Sequence, residues 1–87
     1  MNKKIAIISA ILENPAKCQA EFNNVVSGYS DIILGRMGLP LKDKGVSVIS
    51  ITLLGDMDRI NALTGKIGKI EHVTVKTAVS KKEIIWF

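Results

Sequence analysis

Side chains that move protons, donate electron pairs or grip charge are few in this chain and seldom near one another. It has one histidine, His72, and one cysteine, Cys18. Neither has a neighbour at chelating spacing, so the sequence calls for no metal and no cofactor, and it offers no base paired with a nucleophile. His72 reads as a surface or capping residue and Cys18 as a small core side chain. The chain is therefore expected not to be an enzyme.

The segment Leu34-Gly35-Arg36-Met37-Gly38-Leu39-Pro40 carries more chemistry. Two glycines and a proline around one arginine allow the backbone to bend or a ligand to approach closely. Arg36 could hold a carboxylate or phosphate bidentately beside exposed amides, or form an inter-subunit or intra-chain ion pair at a strand end. Asn14, ahead of Pro15, marks a helix start whose amides make an anion-binding corner. Asn14, Arg36 and Gly38 are thus the candidate ligand-binding residues. The run Leu63-Thr64-Gly65-Lys66-Ile67-Gly68-Lys69 imitates a phosphate loop but has Ile60 where the first glycine belongs, and it lies on a helical stripe. Gly65 is expected instead to permit close packing of that helix against the sheet or a neighbouring subunit.

These residues have to be positioned by a small scaffold. Eighty-seven residues with 47% hydrophobic and 23% charged side chains make one folded domain, expected over residues 1–80 with a tail at 81–87. Twelve basic against eight acidic residues give a net charge of +4. The lysines are scattered with few aromatic residues among them, so direct nucleic-acid binding is not expected. Lys3-Lys4 and the apolar run after them resemble a secretory signal, but Glu13-Asn14-Pro15 replaces a cleavage site, and a strand is the better reading. No membrane span is expected, and a lone cysteine fits the cytoplasm.

Laying Ile5 on Val46 aligns two apolar runs, each followed by a capped helix: Asn14 with Pro15 begins the first, Asp56 the second. Cys18, Phe22, Val25, Val26 and Tyr29 form one apolar stripe; Ile60, Leu63, Thr64 and Ile67 form the other. Extended segments follow at Ser30 to Met37 and His72 to Val79. The result is β-α-β-β-α-β, an α+β ferredoxin-like sandwich with antiparallel strand order 4-1-3-2 and both helices on one face. Ile8, Ala10, Leu12, Ile49, Ile51 and Leu53 would then face the helices. Ile5, Ile7, Ser9, Ile11, Val48, Ser50 and Thr52 would face outward, leaving an apolar sheet surface that a second copy would cover. A homo-oligomer, dimer or tetramer, is expected; the alternative cover is the Ile84-Ile85-Trp86-Phe87 tail.

Gly35 to Pro40, Lys44 to Ser50, Ala62 to Gly68 and Val73 to Ala78 together resemble the iron-only hydrogenase system regulators, over nearly the whole chain to about Ser80. That family is similar to ACT domains and to the ligand-sensing domain of the nickel-responsive repressor. The resemblance implies a free-standing, oligomeric ACT-like regulatory module that takes a small-molecule effector. Arg36, Gly38 and Ser47 stand where the repressor has its nickel ligands, so nickel sensing is not expected. Glu13-Asn14-Pro15 lacks the glycine common in the amino-acid-binding turn of ACT domains. The alternative function is that of a protein-interaction subunit for a metallocofactor enzyme, docking through the open sheet or the tail.

Overall fold

A computed structural model describes residues 2–85. Strand β1 (Asn2–Glu13) runs into helix α1 (Pro15–Ser27), and after a 3-10 turn (Ser30–Ile32) come β2 (Ile33–Leu41) and β3 (Val46–Gly55). Helix α2 (Met57–Gly68), β4 (Val73–Val79) and a short β5 (Ile84–Ile85) complete the chain order. The four long strands form one antiparallel sheet in the order β2-β3-β1-β4, which is the ferredoxin-like arrangement expected.

The two apolar runs become the central pair because they can be buried on both faces. β1 pairs with β3 along its length, Ile8 opposite Ile51 and Ala10 opposite Ile49. Ala6, Ile8, Ala10 and Leu12 from β1 and Ile49, Ile51 and Leu53 from β3 are all buried beneath the helices. Phe22, Cys18 and Val26 descend from α1; Ile60, Leu63 and Ile67 descend from α2, at the spacing of one helix face. Burying each large side chain contributes about 1.5–3 kcal/mol, which for so short a chain is the main source of stability. Val73, Val75, Thr77 and Val79 are half-buried on the same side of β4, alternating with exposed residues. Thr64 and Thr77 exchange a 2.8 Å hydrogen bond there, which gives the polar member of each stripe a partner.

Three local expectations are corrected. Asn14 precedes α1 in a left-handed conformation, φ 60°, and its side chain makes no cap bond. Its backbone N–H instead donates to Gly45 at 3.1 Å, tying the helix start to the turn before β3. β2 begins at Ile33 and continues to Leu41, beyond the glycines and Pro40 that suggested an end; an edge strand tolerates proline because only one side of it needs donors. Leu34 sits in a register shift between Ile33 and Gly35, where a bulge lets the strand change face. His72 lies outside β4 in a turn at φ 72°. Asp56 does cap α2, accepting from the Arg59 N–H at 2.9 Å.

β5 continues the β4 edge, with Ile84 opposite Lys3 and Ile85 opposite Asn2 on β1. That part of the tail therefore pairs alongside β1 at the sheet edge and does not lie across the open face. Trp86 and Phe87 lie outside the described residues.

Candidate functional site

Alternation along β2 sends Arg36, Gly38 and Pro40 to the helix side, opposite Ile51, Ile49 and Ser47 of β3. The start of α1 and this edge of the sheet leave a gap between them. The gap is a cavity of about 410 Å³ between the start of α1, β2 and β3. Its size falls in the range of small-molecule sites. Arg36 and Lys42 supply charge, Gln19 and Ser47 hydrogen-bonding groups, and Pro15, Pro40, Val46 and Ile49 an apolar wall. No aspartate or glutamate lines it.

Arg36 is held by a 2.6 Å hydrogen bond from Nη2 to Asn23 Oδ1, and its guanidinium lies 5.5 Å from the centre of the Phe22 ring. Both contacts come from α1, and neither supplies a negative charge. No ion pair within the chain engages this arginine among the described residues, so within one subunit its charge borders the cavity without a neutralising carboxylate. Gly38 leaves room: a Cβ there would meet nothing within 4 Å. Asn14 is not part of the cavity wall, although Pro15, the next residue, is. Its N–H is taken by Gly45, and its carbonyl accepts from the Lys17 N–H at 2.9 Å, so both groups are already engaged within the chain.

The outward face of the sheet is also as expected. Ile5, Ile7 and Ile11 remain 37%, 45% and 41% exposed, Ser9 and Ser50 are exposed, and Val48 and Thr52 are half-buried. Met37 and Leu39, in register with Ser50 and Val48, enlarge this apolar surface.

Residues 4–77 match the TM1266-like family, described as "Iron-only hydrogenase system regulator, putative". The chain belongs to that family. It is 34% identical to uncharacterized protein TM1266 from Thermotoga maritima, whose solved structure superposes with a TM-score of 0.87 over 91% of this chain and 99% of the other. No curated protein matches.

The second arginine of this TM1266-like chain has a structural task. Arg59 makes a two-pronged ion pair with Asp31, at 2.9 and 3.0 Å, fastening α2 to the turn after α1. The hydrogen bond from Arg59 holds the Asp31 carboxyl below its ordinary pKa, and Asp31 correspondingly raises that of Arg59. Tyr29 lies beneath two cations of α2, with Arg59 at 5.0 Å and Lys66 at 5.1 Å from its ring. Burial pushes the Cys18 thiol up, with Glu21 adding to the shift, which leaves it a poor nucleophile. Lys42 and Gln19 are polar cavity residues that sequence reasoning passed over, whereas Ser47 stands with Arg36 and Gly38 at the positions compared with the repressor's ligands. The polar types of Lys42 and Gln19 gave no signal without knowing that β2 runs on past Met37 alongside the first turns of α1.

Proposed function

We propose that this chain is an ACT-like regulatory module of an iron-only hydrogenase system. It works in the cytoplasm as a homo-oligomer that binds a small ligand and catalyses no reaction. The family supports the regulatory role. The observation that carries the oligomer is the uncovered sheet face: Ile5, Ile7, Ile11, Met37 and Leu39 all stand exposed on one surface, where covering them would be favourable by about 25 cal/mol per Å². A second copy placed on that surface removes it from water and leaves the Arg36 cavity, on the opposite side of the sheet, accessible to ligand. No helix among the described residues is long and apolar enough to cross a membrane.

Native mass spectrometry of protein purified from cells tests both halves at once. The expected species is an even-numbered oligomer with a retained low-mass ligand. A monomer that is insensitive to dilution and carries nothing would refute the proposal.

A further inference from the structure

We infer that the cavity beside Arg36 takes a small organic anion, a carboxylate with a short apolar body. This assignment rests on the ligand-binding reading above and narrows it to a chemical class. Two cations, Arg36 and Lys42, border the space, and no carboxylate of the protein borders it. The first turn of α1 presents Pro15 and Ala16 to the same space, adding the positive end of the helix dipole. A cationic ligand would meet only like charge. A zwitterion would gain at its carboxylate but have no acid to receive its ammonium group.

The geometry of Arg36 adds direction to the charge. Asn23 uses one terminal nitrogen of the guanidinium and the Phe22 ring supports one face, so the group is already oriented before a ligand arrives. The remaining N–H groups suit a planar carboxylate. The sheet side of the cavity, with Pro40, Val46 and Ile49, gives an apolar body somewhere to rest, which a bare inorganic anion would not use. The space above Gly38 is where that body would pass close to the strand.

The test uses the full chain and five probes: hexanoate, hexanamide, hexylammonium, inorganic phosphate and acetate, each titrated by calorimetry. Hexanoate is expected to bind more tightly than the other four. Arg36→Gln should weaken it by about tenfold or more, the effect of losing a hydrogen bond to a charged partner. Arg36→Lys should recover part of the loss. Gly38→Leu should block binding while leaving the circular dichroism spectrum unchanged, because a side chain there enters open space. Equal binding of the amide or the ammonium compound overturns the anion, and equal binding of phosphate or acetate overturns the apolar body. Hexanoate binding that survives both Arg36→Gln and Gly38→Leu overturns the location. Failure of all five probes overturns the assignment of class, whereas the broader reading falls only if protein from cells also carries no ligand.

Discussion

Ile7→Lys is the substitution that discriminates most sharply between a covered and an uncovered sheet. Ile7 sits mid-strand in β1, opposite Thr52 of β3 on one side and Ala78 of β4 on the other, near the centre of the open face. It is 45% exposed, so a little under half of its burial free energy remains to be gained on association. With about 1.5–3 kcal/mol for full burial, that remainder is about 1 kcal/mol. A two-fold contact contains the residue twice, which makes about 2 kcal/mol and about a 30-fold weaker dissociation constant from lost apolar contact. Bringing two lysines together away from water adds to that figure, so 30-fold is a lower bound. The lone subunit should tolerate the change, since the side chain points away from the core and surface substitutions commonly shift stability by about 0.5 kcal/mol. Sedimentation velocity across a dilution series measures the association, and a thermal melt of the dilute protein measures the fold. A dissociation constant unchanged by Ile7→Lys would refute the claim that the sheet face is the seam.

Other expectations follow from single contacts. Asp31 has a folded pKa below its ordinary 3.8 because Arg59 stabilises the carboxylate; this pair's stabilisation is whole above the unfolded value and disappears as pH falls through the lower folded one. Arg59→Gln should therefore lower the melting temperature at neutral pH, with the gap from wild type closing in acid below about pH 4. Cys18 is 1% exposed with a raised pKa, so a thiol-disulfide reagent at neutral pH should leave it untouched until denaturant is added; rapid labelling of the native protein would contradict its placement. Gly65→Ala on the exposed side of α2 should stabilise by about 0.5–1 kcal/mol, because a Cβ meets nothing there and alanine is the better helix former. Gly55→Ala should destabilise in the same urea titrations, because its Cβ would lie 3.3 Å from two Ile32 carbons already packed in the core.

What made the fold legible was hydrophobic periodicity acting over whole elements. Ile8, Ala10 and Leu12 alternate with Ile7, Ser9 and Ile11, and a strand has only two faces, so assigning one set to the helices assigns the other to the outside. The stripe from Cys18 to Tyr29 worked for the same reason at helical spacing. Backbone details resisted because they depend on contacts from far along the chain. Asn14 is a favourable cap by type, yet the carbonyl of Gly45 claims its N–H and the residue turns left-handed. Gly65 reads as a close approach to the sheet or to a neighbouring subunit; within the chain the space beside it is open, while Gly68 is the glycine that meets β4, with Val75 3.5 Å from where its Cβ would be. The candidate site was half visible: Arg36 and Gly38 stand two apart on a strand and so share a side, but the partners that complete the cavity come from α1 and from the turn before β3.

Those two surfaces meet in one strand. Along β2, Arg36, Gly38 and Pro40 face the cavity, while Gly35, Met37 and Leu39 take the registers of Thr52, Ser50 and Val48 on the open face. β2 is bonded on one side only, to β3, and it is interrupted by the register shift at Leu34, so it is held less firmly than the central pair. Anything that pulls on Arg36 is separated from Met37 by one peptide unit. A ligand shifts association only if it binds one arrangement of subunits more tightly than another, and the coupling then works equally in both directions. The factor by which ligand tightens the oligomer must equal the factor by which assembly tightens the ligand. An edge strand with one face toward each partner is the simplest physical device in this chain through which that equality operates.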